Sequence, residues 1–299
     1  YTFTRNDATS PLTVNFSIGG TATFNTDYTQ TGAATFVPPN GTVSFAAGEL
    51  TATVSVDPVA DSTVEPDETV ILTVVAGTGY NVGVPSSATG TITNDDTDVS
   101  VAVPPTSTSE DGAGNLVYTF TRVGVTTGAL TANFTINGTA TFNTDYTQTG
   151  AATFAPPNGT VQFSAGSSTA TVTIDPTPDT TVEPDETVIL IVAPGAGYNV
   201  AALNNSATGT ITNDDTDVSV AVAPSSVPED GAANLVYTFT RVGVTSTPLT
   251  ANFTIGGTAT FNTDYTQTGA ATFAPPNGTV QFAAASSTAT VTVDPTPDT

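Results

Sequence analysis

The 299-residue chain contains no His, Cys, Met or Trp, and its three basic residues are all Arg (Arg5, Arg122, Arg241). These absences remove whole classes of chemistry. Without imidazole, thiolate or amine there is no histidine base, no cysteine or lysine nucleophile and no zinc-type ligand set. Catalysis would have to rest on carboxylates alone, as in glycosidases or aspartic proteases, which need a deep cleft and a carboxylate pair in unlike environments. Here the same acids recur in every repeat and there is no Trp to form a sugar platform, so the chain reads as a non-enzyme. Positive charge is also scarce: 27 Asp and Glu leave a net charge of −24. Such a chain is repelled by phosphate backbones and anionic membranes, which argues against nucleic-acid or lipid-surface partners. No apolar run approaches the roughly 18 residues needed to span a bilayer. The lack of Cys leaves the redox compartment open.

What is present is moderate. Only 10% of residues are charged and 38% are hydrophobic, so this is not a disordered acidic tail. Twenty-six Gly and 21 Pro disfavour long helices and suit short strands joined by turns. The strongest signal is repetition. GTATFNTDYTQTGAATF occurs at Gly20–Phe36, Gly138–Phe154 and Gly257–Phe273, spaced by 118 and 119 residues. YTFTR recurs at Tyr1, Tyr118 and Tyr237, VEPDETVIL at Val64 and Val182, and TGTITNDDTDVSVAV at Thr89 and Thr208. The expected units are 1–97, lacking its first strand; 98–216, complete; and 217–299, lacking its last strands. With no initiator Met or signal peptide and both outer units incomplete, the chain reads as a segment of a longer or processed array.

Within the complete unit the pattern has period two. Leu116–Arg122 puts Tyr118 and Phe120 on one face, Leu130, Ala132, Phe134 and Ile136 alternate with polar residues, and Ala170, Val172 and Ile174 alternate with Thr. Val188–Val192 is continuously apolar, as in a central strand covered on both faces. Turn signals fall at Asn137-Gly138, Pro156-Pro157-Asn158-Gly159 and Gly195-Ala196-Gly197. The expectation is an all-β chain of tandem seven-stranded antiparallel β-sandwiches, immunoglobulin-like and arranged as beads on a string.

The acids of the complete unit avoid strand centres: Glu110-Asp111, Asp145, Asp175, Asp179, Glu183, Asp185-Glu186 and Asp214-Asp215. Alternate strand ends of an antiparallel sandwich meet at one pole, so Glu110, the Asp179–Glu186 loop, Asp214-Asp215 and Asp145 are expected to converge. Converging carboxylates repel unless a positive charge sits among them, and one Arg per repeat does not suffice. A hard divalent cation with oxygen ligands does, and Ca²⁺ takes 6–8 of them in flexible geometry, where Mg²⁺ demands a near-ideal octahedron. The plainer reading, a turn acid bonding local backbone, competes most strongly at Asp111, Asp175 and Asp185. Arg122, ending a strand beside acidic loops, reads as a structural ion pair or surface cation. The Asn133, Asn137 and Asn158 sequons are expected by chance in so Asn- and Thr-rich a chain.

The order GTATFNTDY, an F-x-A-G turn, DTTVEPDETVIL and TGTITNDD resembles the Calx-β domain over the whole repeat. That module is named for sodium–calcium exchangers and also occurs in tandem in bacterial surface proteins. The resemblance implies a seven-stranded sandwich binding several Ca²⁺ ions at one pole, near the next domain. It implies ligands at Glu110, Asp145, Asp179, Glu183, Glu186, Asp214 and Asp215, with a backbone carbonyl near Thr181. In the first unit it implies Asp27, Asp61, Glu65, Glu68, Asp95 and Asp96, and in the third Glu229, Asp264 and Asp298. Two positions depart from the family: Pro178 stands where an Asp pair is common, and Asn143 replaces a turn Gly, which Asn tolerates.

The function expected is a structural, calcium-binding segment of an extracellular or cell-surface protein: an adhesin, matrix component or filament. Junction ions stiffen the array, and the partners are neighbouring repeats and other copies of the chain. The alternative is a recognition module binding a glycan or host protein through Thr-rich faces. A cytosolic calcium sensor is a weaker third reading.

Overall fold

The computed structural model describes residues 1–297, and Asp298 lies outside the described residues. All regular structure within them is β. Residues 97–212 form a sandwich of two sheets. One orders its strands Tyr146–Thr149, Thr169–Pro176, Leu116–Gly124, Thr97–Ala102 and Asn199–Val200; the other runs Ser107–Ser109, Ser206–Thr212, Glu186–Ala193, Leu130–Gly138, Asn158–Phe163 and Thr153–Ala155. Pairing is antiparallel except at two edges, where Thr97–Ala102 runs parallel to Asn199–Val200 and Ser107–Ser109 parallel to Ser206–Thr212. The seven strands expected are thus supplemented by short edge strands, each paired with a longer one.

Alternation decides which face is buried. Leu116, Tyr118 and Phe120 turn inward against Ala132, Phe134 and Ile136, and all six belong to one buried cluster. Phe120 and Phe134 meet as tilted rings 5.2 Å apart, a favourable aromatic geometry. The Tyr118 hydroxyl donates to Val188 O at 2.6 Å and accepts from Gly209 N at 3.0 Å, tying the two sheets through the core. The apolar run Val188–Val192 corrects a sequence expectation. It is central in its sheet, but only Val188, Leu190 and Val192 are buried, while Ile189 and Ile191 are half-exposed on a face that carries no further layer. Asn137-Gly138 closes a strand and Asn158-Gly159 opens one, so the chain turns at Pro156-Pro157 and at Gly195–Tyr198. Asn143 adopts φ 66°, the left-handed conformation expected of it.

The neighbouring repeats build the same scaffold with fewer strands. Residues 2–92 form a five-stranded sheet and two separate strand pairs, because the strand that is continuous at Thr169–Pro176 in the middle repeat is interrupted here at Val54. The third repeat has a four-stranded and a three-stranded sheet and a small buried cluster of Phe239, Val280, Phe282 and Val291. Its Val218 and Val220 are 41% and 55% exposed, whereas the identical Val99 and Val101 are fully buried.

Arg122 is neither an ion pair nor a surface cation. It is 3% exposed, donates to the carbonyls of Ser167, Gly128, Thr126 and Ser164 at 2.7–2.9 Å, and lies over the Phe163 ring. A guanidinium offers five donors in a fixed fork, which suits it to collecting turn carbonyls at one end of the sandwich. Arg241 repeats this clamp in the third repeat.

Candidate metal centre

Three loops and one strand end bring the acids together. Asp145 follows the Thr141–Asn143 turn, and its carboxylate is held by Thr141 N, while Asp145 N donates back to Thr141 O. Glu183 and Glu186 flank Pro184-Asp185, with Glu186 opening a strand. Carboxylate oxygens of Asp145, Glu183 and Glu186 lie within 4.8 Å of one another. The first repeat makes the same triad from Asp27, Glu65 and Glu68.

A brace explains why the loops meet there. Asn213 Oδ1 accepts Glu183 N at 3.1 Å, Asn213 N donates to Asp185 Oδ1 at 3.1 Å, and Asn213 Nδ2 donates to Asp215 O at 3.1 Å. Asn94 makes the same three bonds with Glu65, Asp67 and Asp96, each at 3.0 Å. Asp185 is therefore structural, as is Asp175, whose Oδ1 lies 2.8 Å from the Asn115 amide when that group is turned to donate. The braces escaped sequence reading, although an Asn heading both NDD motifs was visible.

Glu110 links this triad to a second group. It is only 5% exposed, and the carboxylates facing it belong to Asp179, Glu183, Asp215 and Asp111. Burial, then these charges, push its carboxyl up to about 7. Glu186 is pushed to about 7 by burial first, then by hydrogen bonding and charge from Asp145, Glu183 and Glu110. Asp215 is raised by burial and by Asp111, Asp214, Asp179 and Asp217, and its Oδ2 is buried with no hydrogen-bond partner. Asp179 moves the other way because Thr181 N donates to its Oδ1 at 2.6 Å. Asp214 Oδ1 accepts Asp111 N at 3.3 Å. Asp111 and Asp217 were not among the expected ligands, and both face Asp215.

In the first repeat, Glu68 is raised by burial and by Asp27 and Glu65, and Asp96 by burial and by Asp95, Asp61 and Asp98. The third repeat gathers no such group among the described residues. Glu229 is exposed, and the carboxylate of half-buried Asp264 accepts Thr260 N at 2.6 Å.

Every donor here is oxygen, no Arg faces the acids, and one buried carboxylate oxygen is orphaned; a buried anion in that state is costly. This donor set fits a hard cation such as Ca²⁺ better than a transition metal that prefers nitrogen or sulfur.

A family model for the Calx-beta domain matches residues 3–96 and 94–217. Among curated proteins none matches the chain. The crystal structure of CBD12 from CALX1.2 aligns over 66% of this chain and 76% of its own at 18% identity, with a TM-score of 0.34. The apo-form Calx CBD1 domain aligns over 39% and 98% at 21% identity with a TM-score of 0.30, and calcium binding domain CBD12 of CALX1.1 over 64% and 72% at 22% identity with a TM-score of 0.28.

Proposed function

The chain belongs to the Calx-beta domain family, and on that premise we propose that it is a calcium-binding tandem array, in units 1–97, 98–216 and 217–299, serving as a structural segment of an extracellular adhesin, matrix protein or filament. The observation that carries this reading is Glu110, a buried carboxyl surrounded by four other acids with no protein cation among them. Asp145, Glu183, Glu186 and Glu110 would hold one ion. Glu110, Asp179, Asp214 and Asp215, with a carbonyl near Thr181, would hold another. Asp27, Glu65 and Glu68, and Asp61, Asp95 and Asp96, would do so in the first unit. Bound Ca²⁺ supplies charge neutralisation and cross-linking of loops, and no catalytic role is assigned.

Stiffening follows from the joint. Asp96 and Asp215 are ligand candidates, and each is also the last residue before the next repeat's first strand. Their carbonyls are pinned twice, by Asn94 Nδ2 and Val125 N in one case and by Asn213 Nδ2 and Val244 N in the other. Gly124 closes this joint at φ 103°, where a Cβ would sit 2.1 Å from Asp96 O. Ordering the acids therefore orders the connection. Extracellular calcium is sufficient for sites of about 10⁻⁴–10⁻³ M. The partners are neighbouring repeats and further copies of the chain.

The recognition reading has its own observation: exposed hydroxyl pairs Thr35–Thr42, Thr153–Thr160 and Thr272–Thr279, at 2.7–2.8 Å, recur on every repeat. Replacing these Thr residues separates the two readings, since loss of attachment with intact calcium response favours recognition. The test of the leading reading is thermal unfolding of the chain in chelator, then with Ca²⁺ or Mg²⁺ up to millimolar levels. A ligand at 100 times its dissociation constant adds about 2.7 kcal/mol, so a clear rise with Ca²⁺ and little with Mg²⁺ is expected. No rise at about 10 mM Ca²⁺, well above the weak range of extracellular sites, would overturn it.

A further inference from the structure

A side-chain hydrogen bond spans the first joint far from the connecting chain: Asn199 Nδ2 donates to Ser62 O at 2.7 Å. Its two ends are placed very differently. Ser62 lies in the acidic loop of the first repeat, next to Asp61, in a stretch without regular structure. Thr63 N there bonds Asp61 Oδ1 at 2.6 Å, so the loop is shaped around the acid rather than around a strand.

Asn199 stands on a fixed base. It pairs in parallel with Asp98, the second residue of the middle repeat's first strand, and Ala201 N donates to Val99 O at 3.0 Å. The preceding Tyr198 is buried, donates to Ala193 O at 2.5 Å and accepts Asn133 N at 2.9 Å. The middle repeat thus presents a strand-anchored donor to a loop of its neighbour that has no regular structure, and that loop carries first-repeat acids.

We propose that Asn199 is the positioning residue that couples the acidic loop of the first repeat to the angle of the joint, so that loop order and inter-repeat geometry are one equilibrium. The calcium half of this inference rests on the reading given above. Coupling is reciprocal: if ordering the loop favours the docked joint, docking favours cation binding in the loop.

The absence of Cys makes the test clean, because introduced thiols are the only label sites. Ser44→Cys with Gln162→Cys places two spin labels on exposed strand positions across the first joint of the full chain. Asn199→Ala is expected to broaden their distance distribution, in chelator as well as in Ca²⁺. It is also expected to weaken Ca²⁺ binding in the first repeat by about two- to tenfold, the worth of one neutral hydrogen bond, leaving the middle repeat's affinity unchanged. Asn81→Ala, at the matching position of the first repeat, should change neither. A distribution unchanged by Asn199→Ala in chelator overturns the proposal whether or not the chain takes calcium. If calcium binds and first-repeat affinity is also unchanged, the coupling is overturned as well. Failure of the unaltered chain to bind Ca²⁺ would instead count against the parent reading, leaving the chelator comparison to judge the latch.

Discussion

The triads Asp145–Glu183–Glu186 and Asp27–Glu65–Glu68 come from identical motifs and each brings its carboxylate oxygens within 4.8 Å of one another, yet they sit in different electrostatic surroundings. In the middle repeat a buried Glu110 joins the triad to Asp179 and Asp215, and Glu186 rises to about 7. In the first repeat Glu68 is raised by burial and by Asp27 and Glu65, and the position matching Glu110 falls before Tyr1. A triad of acids is common to both, and the middle repeat shows in addition how a buried carboxyl joins such a triad to a second acidic group. Burial comes first among the causes that raise Glu110, ahead of its acidic neighbours, so the need for a cation there comes from burial as well as from the number of carboxylates.

The comparison can be broken at Glu110. Glu110→Gln keeps the shape and removes the charge that joins the two acidic groups. The middle site's Ca²⁺ affinity is expected to fall about ten- to hundredfold, the range for a lost charged interaction, while the first repeat's affinity holds. Titration calorimetry on the full chain would check this, and equal losses at both sites would refute the bridging role.

Acidity offers a second, milder probe. Glu110 and Glu186 have folded values raised from 4.5 to about 7, so the folded ion-free protein binds more protons than the unfolded one between those values. Stability from these groups is fully present below the ordinary value and is lost as pH rises through about 7. The unfolding midpoint in chelator should therefore drop between about pH 5 and pH 8. With Ca²⁺ the trend should reverse, because protons and cation compete for the same oxygens. A midpoint that rises with pH in chelator would contradict the assignment.

The smallest effect concerns the braces, where the two regions should agree. Asn213→Ala and Asn94→Ala each remove two side-chain hydrogen bonds and leave the backbone N–H bond to Asp185 or Asp67 in place. Each should cost about 1–3 kcal/mol of local stability, read by amide exchange in the VEPDE loop. A large loss in one repeat alone would mean that the loops are held differently.

The sandwich was legible because period-two alternation reports burial directly, and Tyr118, Phe120 and Phe134 lie where that pattern puts them. The convergence of acids was legible because strand ends of an antiparallel sandwich share a pole. The two-sided cover expected for Val188–Val192 failed because an apolar run does not distinguish a second layer from a β-branched outer face. Arg122 was misread because two of its four carbonyl partners come from a turn some 40 residues away, which no spacing reveals. Asn213 and Asn199 were missed for a related reason: an amide's role depends on which backbone groups the fold leaves beside it.

The central claim is that cations gather around Glu110. Crystals of the chain grown in Ca²⁺ and compared with Mn²⁺-substituted crystals by anomalous scattering test it most directly. The expected result is ordered cation density on both sides of the Glu110 carboxylate, one ion touching Asp145 and Glu186 and another touching Asp179 and Asp215. Well-ordered loops with water alone around Glu110 at millimolar Ca²⁺ would contradict it.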